Sequence, residues 1–220
     1  MGNGIIKYLI ESVLNVIYCT SETCLICNDY LDSNVPLCKT CSGKIEYCSD
    51  VFKLENKIDC FSAAYYASCI KEMIRRLKYK SDFAAGEFLG SLLLDAIIKN
   101  NLQFDLITFV PLSKKALKKR GFNQSEFLAR YISKCVNRPM KELLCKKKDT
   151  KDQIGLDGYN RWENMTNCFE TLKINNLESK KIIIIDDVIT TGATAFHCAE
   201  QLFKSGAEKV SVLTVAKSRL

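Results

Sequence analysis

The chain has 220 residues, of which 47% are hydrophobic and 26% charged, and its formal net charge is +7. These proportions argue against long disordered stretches, and the length suffices for one full core and a small extra module. No apolar run reaches the roughly 18 residues that a membrane-spanning helix needs. The positive charge suits an anionic ligand or nucleic acid without requiring either.

Residues 3–17 carry apolar side chains at helical spacing, interrupted by Lys7, Glu11 and Asn15. Because no small-residue cleavage site follows, we interpret this segment as an amphipathic docking helix and not as a signal peptide. Twelve cysteines without an export signal indicate a reducing cytoplasm, where metal binding is favoured over disulfides.

Residues 19–48 contain six of the twelve cysteines. Four of them form two Cys-x-x-Cys turns separated by ten residues, a spacing typical of tetrahedral Zn²⁺ bound by four thiolates. Four protein ligands leave no open position, so the predicted zinc is structural; free thiols or a redox pair are the alternatives. Cys19 and Cys48 flank this module and are alternative ligands. The predicted ligands are Cys24, Cys27, Cys38 and Cys41.

From residue 59 the pattern alternates strands and helices. This alternation predicts βαβ units and a parallel sheet. The first strand has Phe61, Ala63 and Tyr65 on one face, and Pro111 halts the second. The predicted elements up to residue 136 are strand 59–67, helices 69–78 and 83–99, strand 104–110 and a helix over 123–136.

Residues 111–121 form a basic segment between a strand and a helix, predicted to be a loop. Arg120 beside Gly121 allows a guanidinium and bare backbone to approach a diphosphate together. Four lysines raise the local potential, and a solvated basic turn is the alternative. These lysines are Lys114, Lys115, Lys118 and Lys119.

The last third of the chain begins with residues 149–161, which carry two glycines and three aspartates without a period. A long loop of this kind is usually functional or disordered. Strand 181–185, helix 193–204 and strand 209–216 follow, with Gly206 as the helix stop. The single histidine, His197, lies in that helix and is interpreted as structural.

Residues 182–194 carry the strongest functional signal. Four isoleucines predict a strand buried on both faces, with Asp186 and Asp187 emerging together at its carboxyl end. Residues 190–194 then make a hydroxyl-bearing turn in which Gly192 permits an unusual backbone conformation. Loop amides and the positive end of the following helix suit a phosphate, and the acids suit sugar hydroxyls. The alternative is a strand that ends in an Asp-rich turn with a helix cap.

These thirteen residues resemble the phosphoribosyl pyrophosphate motif of type I phosphoribosyltransferases. The resemblance implies that Asp186 and Asp187, the candidate catalytic acids, hold the ribose 2′- and 3′-hydroxyls, and that Mg²⁺ accompanies the ligand. The reaction it implies is displacement of pyrophosphate at the anomeric carbon. The implied ligand-binding residues are Val188, Ile189, Thr190, Thr191, Gly192, Ala193 and Thr194, with Arg120 and Gly121.

The sequence Arg-Gly-Phe-Asn-Gln at 120–124 resembles the ComF family of competence proteins. Residues 77–82 resemble another ComF segment, with Ser81 where glycine is usual, and the loop with Gln153, Leu156, Arg161 and Asn164 resembles a mobile region over the site. The resemblance implies an α/β fold of the phosphoribosyltransferase type over residues 51–220, behind an N-terminal helix and zinc ribbon over residues 1–50. Residues 111–121 then stand in the place of the pyrophosphate loop.

The same resemblance implies a role in natural transformation, with single-stranded DNA, a competence helicase and a recombination mediator as partners. Three functions stay open at this point. The first is a protein that binds phosphoribosyl pyrophosphate or a ribose phosphate during DNA uptake. The second is an active phosphoribosyltransferase with an unknown acceptor, and the third is a non-enzymatic adaptor for single-stranded DNA.

Overall fold

The computed structural model describes residues 22–31, 35–55, 57–147, 168–172 and 177–219. Its contacts divide the chain into two units, residues 1–44 and residues 45–220. The predicted division at residue 50 stays a prediction. The predicted helix over residues 3–17 and the loop over 149–161 lie outside the described residues.

The first unit is small and is organised by its cysteine turns. A four-residue helix, α1 (Lys39–Ser42), begins after Cys38, whose Sγ accepts a hydrogen bond from the Cys41 amide at 3.4 Å. The Leu25 amide donates to the Pro36 carbonyl at 2.9 Å and so ties the two cysteine turns together. Among the described residues, few apolar side chains are buried here, Leu37 being one. A unit of this size needs more than its core to be stable.

The second unit is built on a five-stranded sheet with the order β1-β2-β7-β6-β3. Strand β1 is antiparallel to β2, and the other neighbouring pairs are parallel. Parallel strands need crossover connections, and helices supply them here. The predicted mixed α/β class with a mostly parallel sheet is therefore confirmed. The strands are β1 (Phe52–Leu54), β2 (Ile58–Tyr65), β3 (Leu106–Phe109), β6 (Lys181–Ile189) and β7 (Lys209–Lys217), while β4 (Leu144–Lys146) and β5 (Phe169–Thr171) pair separately.

Helices pack against the sheet. No helix in the described ranges combines the length and apolar character needed to cross a membrane. Gly86 and Gly90 receive aromatic rings of a neighbouring helix, because a Cβ at either position would lie 2.6 Å from a ring carbon of Phe127 or Tyr131. This close approach brings two helices together on one face. The helices are α2 (Ser68–Lys80), α3 (Phe83–Lys99), α4 (Lys114–Arg120), α5 (Gln124–Val136) and α6 (Ala193–Lys204).

Two sequence predictions were wrong about local structure. The basic segment forms helix α4, because Ser113 caps it by accepting from the Ala116 amide at 3.2 Å and the residues that follow favour helix. Strand β6 ends at Ile189 and not at Ile185, since β7 continues alongside it and pairs with it to that point. The two acids therefore lie within the strand. This extension decides how their side chains point.

Candidate functional site

The candidate site lies at the carboxyl end of β6, where the neighbouring strand β3 has already ended. The last β3 pair joins Phe109 to Ile185, and the Asn123 side chain then binds the Val110 carbonyl at 3.0 Å. This bond brings the amino end of α5 beside the unpaired edge of β6. In open parallel sheets, ligands bind outside the carboxyl ends of the strands.

Asp186 and Asp187 have different partners, because successive side chains of a strand point to opposite faces. Asp186 Oδ1 accepts from the Ser125 hydroxyl at 2.8 Å and from the Asp187 amide at 2.9 Å. Asp187 Oδ1 accepts from the Val188 amide at 2.7 Å, and its Oδ2 forms an ion pair with Lys78 Nζ. Only Asp186 is therefore presented to the depression described below.

Burial and charge shift the ionisation of this cluster. Burial, followed by the negative charge of Asp187, raises the pKa of Asp186 to about 7, while the Ser125 hydroxyl and Lys78 oppose the rise. Burial acts to lower the pKa of Lys78, but Asp187 and Asp186 outweigh it and hold that pKa above its ordinary value. Lys78 is therefore charged at neutral pH, whereas Asp186 titrates near neutrality.

The loop after β6 forms the wall of a small depression that is partly open to solvent. Gly192 has a φ of +83°, and a Cβ there would lie 2.5 Å from Leu54 Cδ2, so this position requires glycine for two reasons. Thr191 Oγ1 accepts from the Ala193 amide at 3.4 Å as α6 begins. The depression is lined by Asp186, Val188, Ile189, Thr190, Thr191, Gly192, Ala193, Thr194, Ala195 and Thr214.

Most of the ligand-binding residues predicted from the sequence thus line the depression, and three lie outside it. Asp187 is 4% exposed and is turned towards Lys78, while Arg120 and Gly121 end helix α4 outside the lining. The guanidinium of Arg120 lies 5.5 Å from the centroid of the Tyr79 ring.

A polar chain nevertheless connects Arg120 to the acids. Arg120 Nη1 donates to Gln124 Oε1, and Gln124 Nε2 lies 3.5 Å from the Ser125 hydroxyl that binds Asp186. The charge of Arg120 also acts to lower the pKa of Lys78, but Asp187 and Asp186 together hold that pKa above its ordinary value. Two cations from different helices therefore lie beside one acidic pair.

Three participants were missed by sequence reasoning: Gln124, Ser125 and Thr214. Gln124 is the last residue of the Arg-Gly-Phe-Asn-Gln motif and Ser125 follows it. Their position at this motif was the signal that could have identified them. Thr214 is a buried hydroxyl that pairs in register with Asp186 and lies 2.8 Å from Ser62 Oγ. A polar residue within the apolar strand β7 was the available signal.

The first unit holds the predicted cysteine cluster. The sulfurs of Cys24, Cys27, Cys38 and Cys41 all lie within 4.8 Å of one another, and the Cys27 and Cys38 sulfurs are 3.7 Å apart. Tetrahedral zinc with bonds of about 2.3 Å places its sulfurs roughly 3.8 Å apart. The donor set is therefore compatible with a metal site of the zinc-ribbon kind. Cys48 is not part of this cluster.

The described residues form a mixed α/β unit with a glycine-bearing loop beside Asp186, and the other unit holds a cluster of four cysteines. Competence protein F of Haemophilus influenzae is 28% identical over 195 residues, which are 83% of this chain and 85% of that protein. DNA utilization protein YhgH of Escherichia coli O6:H1 is 30% identical over 71% of each chain. Competence protein ComFC of Bacillus subtilis is 30% identical over 70% of this chain and 62% of its own length. The chain belongs to the ComF family of competence proteins, as its sequence predicted.

No family model matches the chain. Among solved structures, similarity extends to glutamine phosphoribosylpyrophosphate amidotransferase from Bacillus subtilis, with a TM-score of 0.41 and 20% identity over 59% of this chain. The chain spans only 25% of that protein. Adenine phosphoribosyltransferase from Thermoanaerobacter pseudethanolicus is similar with a TM-score of 0.40 and 15% identity, over 62% of this chain and 82% of that one.

Proposed function

We propose that the protein binds phosphoribosyl pyrophosphate or a related ribose phosphate and acts in DNA uptake during natural transformation. The observation that carries the proposal is the depression formed by Asp186 and the loop of residues 188–194. The relatives named for competence and DNA utilization support the biological role. A cytoplasmic location, with a helicase and a recombination mediator as partners, belongs to the same proposal.

The chemistry of the depression suits a sugar with a charged 5′ group. The amides of residues 190–194 and the positive end of the twelve-residue helix α6 would hold the 5′-phosphate. The carboxylate of Asp186 would accept a hydroxyl of the ribose. Mg²⁺ is commonly held by one or two carboxylates together with substrate phosphates, and Asp186 with a diphosphate ligand meets that requirement. When bound, the ion would neutralise phosphate charge.

Release of pyrophosphate distinguishes turnover from binding alone. A phosphoribosyltransferase would release pyrophosphate on addition of its acceptor, and a binding protein would not. In the cysteine cluster we propose structural Zn²⁺, which would stabilise the first unit without taking part in this chemistry.

We expect phosphoribosyl pyrophosphate with Mg²⁺ to bind the wild-type protein and to bind Asp186→Asn at least tenfold more weakly. A hydrogen bond to a charged acceptor contributes about 1.5–3 kcal/mol, which corresponds to roughly 10- to 150-fold in affinity. Isothermal titration calorimetry would measure both affinities. Asp95→Asn is the control, because Asp95 is an exposed carboxylate on α3 outside the depression. Equal affinity of Asp186→Asn and wild type would remove Asp186 from the site.

A second function, binding of single-stranded DNA, is favoured by helix α4. Its four lysines are exposed, and none of them forms an ion pair with a described carboxylate. Tyr79, which is 73% exposed, lies beside Arg120 at the end of the same helix. Cationic side chains next to an exposed ring are the elements from which single-strand sites are built.

If α4 contacts DNA phosphates, replacing Lys114, Lys115, Lys118 and Lys119 by glutamine should flatten the salt dependence of binding. Each phosphate contact contributes about −0.7 to the slope of log affinity against log salt for single strands, so the slope should change by about 3. Fluorescence anisotropy with a labelled oligothymidine at several salt concentrations measures this slope. The control replaces four other exposed helical lysines, Lys71, Lys99, Lys134 and Lys204. A similar loss in both variants would show that binding follows net charge and not α4.

A further inference from the structure

A second groove lies beside helix α6, at the opposite edge of the sheet from the depression. It borders Ile58 and Lys209, the first residues of the parallel strands β2 and β7, whereas the depression lies at the carboxyl end of β6. None of the functions proposed above uses this groove. Its lining consists of Glu55, Lys57, Ile58, Phe196, Glu200, Phe203, Lys204, Glu208 and Lys209.

Two phenylalanines of α6 give the groove an apolar floor. Phe196 and Phe203 are seven residues apart, which is close to two helical turns, so they lie on the same face of α6. The adjacent face of the helix is buried against the sheet through Ala199 and Leu202. Both rings pack against this core only in part and are half-buried. Covering their remaining apolar surface would stabilise a complex.

The rim of the groove carries both signs of charge in equal number. Three elements border it, namely the turn between β1 and β2, helix α6 and the start of β7, and each contributes one glutamate and one lysine. A nucleic-acid site carries an excess of positive charge, and this rim does not. The net charge of +7 on the whole chain opposes self-association in general, but a neutral rim avoids that repulsion. The three pairs are Glu55 with Lys57, Glu200 with Lys204, and Glu208 with Lys209.

Several of these charged groups have no oppositely charged partner among the described residues. Lys57 and Lys204 form no ion pair with a described carboxylate, and Glu55 and Glu208 form none with a described cation. Glu200 and Lys204 are one turn apart, yet Glu200 Oε2 lies 3.2 Å from Nδ1 of His197 and not beside Lys204. The ammonium of Lys204 can therefore pair with a carboxylate from another molecule.

We propose that this groove is the contact between two copies of the chain, related by a two-fold axis that passes near Phe203. In such a contact the same patch meets itself, so each residue pair occurs twice. Two antiparallel α6 helices would place Glu200 of each copy opposite Lys204 of the other, with the Phe203 rings packed between them. The depressions stay open, because they lie at the other edge of the sheet, and dimerisation through this groove is independent of ribose phosphate binding.

Charge-reversal variants of the full-length protein test this contact by sedimentation velocity over a range of protein concentrations. We expect Glu200→Lys and Lys204→Glu each to weaken dimerisation at least tenfold, because like charges would then face each other across the axis. The double variant Glu200→Lys with Lys204→Glu restores opposite charges and should dimerise about as well as wild type. A merely structural effect of either substitution would not be reversed by the other.

Asp95→Lys and Lys99→Glu are the matched controls, since this exposed acid and lysine are also one turn apart but lie on α3, outside the groove. Both should dimerise like wild type. Wild-type protein that stays monomeric up to millimolar concentration overturns the proposal, and so does a double variant that remains as weak as the single ones. Should the charge reversals not fold, Phe203→Ser provides a separate test, and undiminished dimerisation of that variant would also overturn it.

Discussion

Asp187→Asn is expected to lower the free energy of unfolding by about 3 kcal/mol, while Asp186→Asn is expected to raise it at pH 8. The first change leaves the ammonium of Lys78 without its ion-pair partner in a largely buried position, and removing one member of a buried pair costs about 3–5 kcal/mol. The second change removes one of two adjacent negative charges and keeps a side-chain oxygen for the Ser125 hydroxyl. Urea denaturation of both variants measures the two effects.

The pH dependence of Asp186→Asn provides a further check with a defined sign. The folded pKa of Asp186 is about 7, above its ordinary value of 3.8, so the folded state binds this proton more tightly than the unfolded state. The stabilisation from Asp186 is therefore fully present below about pH 4 and is lost as pH rises through 7. Asparagine has no such titration, so the advantage of the variant should grow from pH 5 to pH 8.

Asp95→Asn serves as the matched control for both measurements, since its carboxylate is exposed. The assignment of the two acids would be wrong if Asp186→Asn and Asp187→Asn destabilised the protein equally. It would also be wrong if Asp186→Asn kept the pH slope of the wild type between pH 5 and pH 8.

Cys41→Ser is expected to abolish stoichiometric zinc binding and to unfold the first unit, leaving residues 45–220 folded. Structural zinc contributes roughly 10–16 kcal/mol to the folding of zinc-finger peptides, and the described part of this unit buries few apolar side chains to replace it. Metal content by mass spectrometry and protease resistance of the two units measure the effect. A chelator added to the wild type should produce the same proteolytic pattern.

Two other cysteines distinguish a specific site from general thiol chemistry. Cys135 is exposed and far from the cluster in sequence, so Cys135→Ser should retain one zinc per chain. Cys48 lies outside the described cluster, and Cys48→Ser should retain it as well. If Cys48→Ser lost its zinc, Cys48 would have to be a zinc ligand. If the wild-type protein contained no zinc, the proposed metal would be excluded.

Local patterns predicted those parts of the molecule that depend on neighbouring residues. The isoleucine run at 182–185 predicted a strand buried on both faces, and all four side chains are buried. The spacing of the cysteine pairs predicted a cluster, which forms. The Thr190–Thr194 loop predicted a glycine with positive φ at the start of a helix, and Gly192 occupies that position.

What the sequence could not predict depends on residues distant along the chain. The length of β6 depends on β7 continuing beside it, so the strand end was misplaced and the acids were expected to emerge together. Lys78 and Ser125, which separate the roles of the two acids, come from helices α2 and α5. Helix α4 was hidden because a run of lysines resembles a solvated turn until its cap at Ser113 is considered.

Because side chains alternate between the two faces of β6, the two acids also determine the register of this strand. Four consecutive isoleucines look alike from either face, so they cannot by themselves resist a slip of one residue against β7. Such a slip would bring Asp187 to Ser125 and Val188 to Lys78, stranding a lysine charge against a hydrocarbon. The two aspartates thus fix the register that the isoleucines leave ambiguous, and Asp186, which is proposed to hold the sugar, also helps to keep strand β6 in place.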